Sequence, residues 1–150
     1  MQEIEIKLVP VDEIYRIRQR VLRPGKPLET CFFENDKVAE SFHLAAFYKQ
    51  KLVGIASVLK DHSTTFTEDD QFRLRGMAVL PDFRKKNIGA LLLKQAENYC
   101  SQKEAKILWF NAREKVVPFY EKYHFQKKGH LFLIPSVGHH QLMFKKLNYE

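Results

Sequence analysis

Polar and apolar residues alternate from the start of the chain. Ile4, Ile6 and Leu8 share one face of an extended segment that Pro10 closes, which predicts a first strand. Asp12 is placed to cap a helix whose apolar positions, Ile14, Ile17 and Val21, recur at helical spacing until Arg23-Pro24-Gly25-Lys26-Pro27 breaks it. A loop then runs to about Glu40. Phe42–Tyr48 and Leu52–Leu59, rich in aromatic and branched residues, flank the short turn Lys49-Gln50-Lys51 and predict a hairpin. Asp61–Asp70 is polar and reads as a mobile loop, and Phe72–Leu80 resumes as a strand. From Ile88 to Gln102 the residues Ile88, Leu92, Ala96, Tyr99 and Cys100 form one helical stripe. Lys106–Phe110 predicts a strand, Val116–Tyr123 a helix with Pro118 in its first turn, and Phe125–Lys128 and His140–Lys146 two further strands.

A hairpin followed by strand–helix–strand–helix–strand predicts an α/β (α+β) fold, a mixed sheet with helices on both faces. No repeat, low-complexity tract or Gly/Pro/Ser-rich linker divides the 150 residues, so residues 1–150 are expected to form one domain. A composition of 45% hydrophobic and 29% charged residues is that of a soluble protein. No apolar run reaches the roughly 18 residues a bilayer crossing needs, and the alternating N-terminus lacks the apolar stretch of a secretory signal, so no membrane partner is expected. Cys31 and Cys100, the only cysteines, lie far apart and pair with no His at metal-type spacing. They fit unpaired thiols in a reducing cytoplasm, and no metal site is expected.

Charge sharpens this picture. Twenty-five basic and 18 acidic side chains give +7, which favours anionic partners. Arg73, Arg75, Arg84, Lys85 and Lys86 concentrate that charge where the Phe72–Leu80 strand turns through Pro81-Asp82 into the helix at Ile88. A helix start offers unbonded N–H groups and the positive end of the macrodipole. Gly89 and Ala90 keep the first turn open, so a pyrophosphate fits there; the competing reading is a helix capped by Asn87 beside solvated basic residues. The chain has neither the Gly-x-Gly-x-x-Gly dinucleotide fingerprint nor a P-loop pattern.

Arg84-x-x-Asn87-x-Gly89-Ala90, placed after a strand ending Val-x-Pro, resembles the Gln/Arg-x-x-Gly-x-Gly/Ala signature of the GNAT acyltransferases. Val117-Pro118-Phe119-Tyr120-Glu121-Lys122-Tyr123-His124-Phe125 is similar to that family's Phe-Tyr-Glu-Lys-x-Gly-Phe segment, and Leu108–Arg113 to the strand whose Asn lies beside the cofactor. Two family glycines are replaced, by Asn87 and His124, both residue types that tolerate positive φ. The resemblance covers most of the chain and is densest from Leu74 to Phe125.

It implies a mostly antiparallel sheet of six to seven strands, splayed at Phe72–Leu80, with acetyl-CoA as co-substrate. Implied cofactor contacts are Met77, Ala78, Val79, Arg84, Lys85, Lys86, Asn87, Ile88, Gly89, Ala90 and Asn111, with the Met77 amide polarising the acyl carbonyl. Tyr120 matches the general acid that protonates the leaving thiolate, a task suited to a phenol that stays protonated at neutral pH. The Ile134–Met143 segment is similar to a C-terminal pattern of bacterial relatives. It puts His140 forward, with His43, as a group on the acceptor side, because imidazole titrates near neutrality. The implied reaction is acetyl transfer to a primary amine of a small molecule or a protein, and a homodimer is compatible with the family. A CoA-binding module without catalysis and a basic nucleic-acid-binding domain are the alternative classes. The second is disfavoured because the aromatic residues follow core spacing instead of interleaving with Lys and Arg.

Overall fold

A computed structural model describes residues Glu3–Leu147. Seven strands, β1 (Ile4–Val9), β2 (Phe42–Tyr48), β3 (Lys51–Lys60), β4 (Gln71–Val79), β5 (Ile107–Arg113), β6 (Gln126–Ile134) and β7 (Gly138–Lys146), form one sheet in the order β1-β2-β3-β4-β5-β7-β6. Every neighbouring pair is antiparallel except β4 and β5. Three α-helices accompany them: α1 (Tyr15–Leu22), α2 (Ile88–Gln102) and α3 (Val117–Lys122).

Helix α1 covers the sheet face that carries Ser57 of β3, since Arg18 of α1 reaches the Ser57 hydroxyl at 2.7 Å. Helix α2 lies on the opposite face, where Ile88 and Leu92 approach Gly54 so closely that a Cβ there would meet them at 3.1 and 3.3 Å. One core runs through both layers, from Ile14 and Ile17 across Leu44, Ile55 and Val58 to Leu92, Leu93 and Ala96. A smaller cluster of Phe66, Ile107, Trp109 and Phe144 seals the other end of the sheet. Among the described residues no helix is long and apolar enough to cross a membrane.

Several expectations are corrected. Asp12 caps nothing: Val11–Glu13 form a 3-10 turn, and α1 begins after Ile14 without a side-chain cap. The segment between β3 and β4 is not a free loop. Gln71 holds it through the Ser63 amide at 2.7 Å and the Glu68 carbonyl at 2.9 Å, and Phe66 is buried against Phe144. Strand β6 runs on to Ile134 instead of ending at Lys128. Its residues from Gln126 to Leu133 are all exposed, so the strand is held by backbone pairing to β7 and shows no alternation in sequence. The hairpin turn at Lys49 and Gln50 adopts φ of +48° and +69°, the primed geometry that suits strand twist, although neither residue is Gly or Asn.

Candidate active site

The parallel pairing of β4 with β5 is brief. Register partners are Gln71↔Ile107, Phe72↔Leu108 and Arg73↔Trp109, and beyond them the two strands part. A β-bulge adds to the divergence. Ser57 faces Arg75 and Ile55 faces Ala78, so Gly76 and Met77 together stand opposite Ala56. Gly76 takes φ +68°, a conformation that glycine adopts without steric cost. The splay expected at this strand is therefore present, and Met77, Ala78 and Val79 line the β4 side of it. Asn111 stands on the β5 side, paired only to Leu142 of β7.

Past Val79, Arg84 donates from Nε to the Val79 carbonyl at 3.1 Å, which ties the loop to the strand end. Lys85 and Asn87 both adopt left-handed φ, +63° and +64°. Asn87 begins α2 with no side-chain cap, and its carbonyl accepts the Leu91 amide at 3.0 Å. The amides of the first turn, Ile88, Gly89 and Ala90, are thus left for a ligand or water, and positive φ between ordinary residues curls successive N–H groups into an anion-binding concavity. Arg84, Lys85, Lys86 and Asn87 are exposed around it, whereas Ile88 is a core residue whose amide alone is available.

Helix α3 closes the other side. Phe119 lies 4.0 Å from where a Cβ on Gly89 would sit, so α3 abuts the start of α2. Tyr120 packs its ring 4.3 Å from that of Phe110, at the point where β5 leaves β4. The helix ends in a Schellman turn: the Phe125 amide bonds the Tyr120 carbonyl at 3.2 Å and the His124 amide bonds Glu121 at 3.0 Å, with His124 at φ +74°. Asn87 and His124 therefore take up the left-handed conformation that a glycine would supply.

The Tyr120 side chain keeps some accessible surface, yet protein crowds its hydroxyl, and burial pushes the phenol up to about 12. Its Oη makes no hydrogen bond among the described residues. Cys100, the nearest thiol in sequence, is buried in the core and pushed up to about 12 by desolvation, so it is inert at neutral pH.

On the α1 face of the sheet the residues are different. Arg73 lies 4.9 Å over Trp109 and contacts Asp61 at 3.4 Å. Arg75 is 4.1 Å over the ring of Phe33 and has no ion pair or hydrogen bond among the described residues. Burial, together with Arg73, Arg18 and Arg23, holds its guanidinium below the usual range, the mark of a cation short of a counter-charge. His140 of β7 stands opposite Arg113 of β5 and is buried, with Nδ1 donating to the Gly138 carbonyl at 2.9 Å. With Nδ1 engaged as the donor, Nε2 is the ring nitrogen left to act as an acceptor. His139 points away and is exposed.

His43 is elsewhere. It is buried under α1, donating from Nε2 to the Asp36 carbonyl and accepting at Nδ1 from Ser57, each at 2.8 Å. Both ring nitrogens are occupied, and burial lowers its pKa. The expectation that it faces an acceptor sits poorly with this enclosure; its role here is to fasten β2 to the segment that carries Asp36.

That segment was illegible as a site in the sequence. Asp36 accepts from the two terminal nitrogens of Arg18, at 2.7 and 2.8 Å, and from the Phe33 amide at 2.8 Å. One signal was available: position 18 falls on the apolar stripe of Ile14, Ile17 and Val21, where a charged residue needs a buried partner. A cleft of about 750 Å³ lined by Tyr15, Leu28, Phe32, Phe33, Asp36 and Val38 adjoins this wall. It includes neither the α2 start nor Tyr120.

Comparison with known proteins agrees with this fold. Residues 30–135 match the acetyltransferase (GNAT) domain. The chain is 38% identical over 144 residues to the uncharacterized N-acetyltransferase YitI of Bacillus subtilis (strain 168), covering 96% of this chain and 97% of that protein. Escherichia coli ElaA superposes with a TM-score of 0.75 at 17% identity, over 97% of this chain and 99% of that one. An aminoglycoside 6'-N-acetyltransferase complexed with coenzyme A superposes with 0.72 at 14% identity, over 97% and 98%. The chain belongs to the GNAT acetyltransferase family.

Proposed function

We propose that this protein transfers an acetyl group from acetyl-CoA to a primary amine by direct attack in a ternary complex. The observation that carries the reading is the parting of β4 and β5 after Arg73↔Trp109, with the uncapped start of α2 on one side and the unengaged Tyr120 hydroxyl on the other. The diphosphate of CoA is held by the amides of Ile88–Ala90 with Arg84, Lys85 and Lys86 around it. Pantetheine runs between Val79 and Asn111.

The acceptor nitrogen attacks the thioester carbonyl while the Met77 amide steadies the developing oxyanion. As the carbon–nitrogen bond forms and the carbon–sulfur bond breaks, Tyr120 gives its proton to the departing sulfur. A phenol held up to about 12 stays protonated until that moment. The proton lost by the amine passes to His140 Nε2, directly or through water, which is the role its Nδ1 contact to Gly138 prepares.

Arg75 bears on the acceptor. A half-buried guanidinium stacked on Phe33, with no ion pair among the described residues, is complemented by an acceptor that brings its own negative charge. Of the acidic residues in the two loops, Asp36 is committed to Arg18, while Glu68 pairs with Lys146 and Asp70 with Lys60 at the surface.

Thiol release from acetyl-CoA, measured over amino carboxylates and amino phosphates beside polyamines of matched size, tests the reading. Turnover confined to the anionic amines and lost in Arg75→Gln is expected. Absence of thiol release with every amine, in a protein that acetyl-CoA stabilises, would return the function to a CoA-binding module.

A further inference from the structure

The bulge at Gly76 does not hold its shape alone. A Cβ on Gly76 would lie 2.8 Å from Phe33 Cε2 and 3.5 Å from Arg18 Nε, so the ring of Phe33 fills the space against that backbone. Phe33 is itself clamped. Arg18 stacks on it at 3.8 Å and Arg75 at 4.1 Å, and its amide is bonded to Asp36 at 2.8 Å. Asp36 is fixed by two bonds from Arg18, whose guanidinium also holds the Cys31 carbonyl at 2.7 Å and the Ser57 hydroxyl at 2.7 Å. The ion pair at the base of these contacts is buried: Arg18 is 1% exposed and Asp36 5%.

A guanidinium with its nitrogens so committed is costly to bury and leaves Nε without a partner. Packing alone does not need it, since an apolar side chain on the same helical stripe would fill the space. What the ion pair supplies is a fixed position for Phe33. An extra residue in a strand turns the backbone that follows it, so the shape of the bulge decides which edge of β4 the Met77 amide addresses.

We propose that Phe33, clamped by the Arg18–Asp36 pair, is a positioning residue that holds the Gly76 bulge in register and so aims the Met77 amide at the acyl carbonyl. The inference rests on the acyl-transfer reading given above. It concerns only the carbonyl, because the proposed pyrophosphate loop follows the far end of β4.

Nuclear magnetic resonance of acetyl-CoA labelled with carbon-13 at the acetyl carbonyl tests it without any acceptor. On the native protein the carbonyl signal should move downfield on binding, as a donated hydrogen bond polarises it. In Phe33→Leu, and in Asp36→Asn, affinity for acetyl-CoA should stay within about threefold of native while most of that displacement is lost. Gly76 and Met77 amide signals of the ligand-free variants should shift together, whereas those of Gly89 and Ala90 should not.

A native downfield displacement that persists in Phe33→Leu and Asp36→Asn, with only the melting temperature reduced, would overturn the proposal in favour of a purely structural clamp. So would a carbonyl signal that does not move when the native protein binds. Failure of the native protein to bind acetyl-CoA at all sinks instead the reading on which the proposal stands. If Phe33→Leu does not fold, Gly76→Ala, which drives a methyl into the ring, provides the same carbonyl comparison and the same two outcomes.

Discussion

Arg18 and Asp36 face each other through two hydrogen bonds of 2.7 and 2.8 Å in a part of the protein where neither side chain is more than 3% exposed. The pair joins α1 to the segment that carries Phe33, whose ring lies against Gly76 of β4. Removing one partner strands the other as a buried, unpaired charge, which costs about 3–5 kcal/mol. Asp36→Ala is therefore expected to lower unfolding stability by that amount in urea denaturation. Asp36→Asn, which keeps a hydrogen-bond acceptor, should cost less. A loss below about 1 kcal/mol for Asp36→Ala would mean the segment relaxes to let Arg18 reach water.

Tyr120 should matter to turnover and not to cofactor capture. Tyr120→Phe keeps the ring contacts with Phe110 and Phe125 but removes the only proton donor assigned to the thiolate. A fall in kcat of about 10²–10⁴-fold, with the KM for acetyl-CoA little changed, is expected from loss of a general acid. Because burial holds the phenol up to about 12, the native enzyme should show no alkaline loss of kcat from this group below pH 10 or so. Steady-state kinetics of both proteins across pH check the two statements together.

Asn87 tests the pyrophosphate loop from the backbone side. Its φ of +64° is tolerated by Asn, natural to Gly and strained for a β-branched residue. Asn87→Gly should leave stability within about 0.5–1 kcal/mol of native and preserve or tighten acetyl-CoA binding. Asn87→Val should cost more than about 1 kcal/mol and raise the KM for acetyl-CoA. Equal behaviour of the two variants in thermal melts and in acetyl-CoA titrations would show that the loop conformation is immaterial.

His43 makes stability depend on pH in a definite sense. Its folded pKa is lowered, chiefly by burial, so the unfolded chain binds the proton more readily than the folded one. The contribution is complete above the unfolded value near 6.5 and drains away as pH falls below it towards the folded pKa. Melting temperature should decline on acidification from pH 7 to 5. The slope should be shallower in His43→Gln, which cannot titrate but can still hydrogen-bond Ser57 and the Asp36 carbonyl. Parallel slopes for the two proteins would remove His43 from the acid response.

The order of elements, the helix start at Asn87-Ile88 and the strand that feeds it were legible in the chain because they rest on local causes. Apolar spacing places α2, Gly89 and Ala90 keep its first turn bare, and Pro81 closes the strand before it. The left-handed tolerance of Asn87 and His124 was likewise a property of the residue types. Strand β6 was legible only in its first residues. Exposed from Gln126 to Leu133, it has no buried face to impose a pattern, and its pairing with β7 comes from the partner.

By itself, then, the sequence determined the family-like loop with the basic charge gathered at it, and the helix that carries Tyr120. The tertiary structure decided the rest. It opened β4 from β5 after Arg73, stacked Arg75 on Phe33 with no ion pair among the described residues, enclosed His43, and brought Phe33 against Gly76, 43 positions away in the chain. Local signals fix what a short segment can do alone, whereas a bulge held by a distant ring and a buried ion pair exist only when the sheet and α1 have closed on each other. Contacts of that kind have no periodicity to announce them, and the single trace they left was an arginine on an apolar stripe.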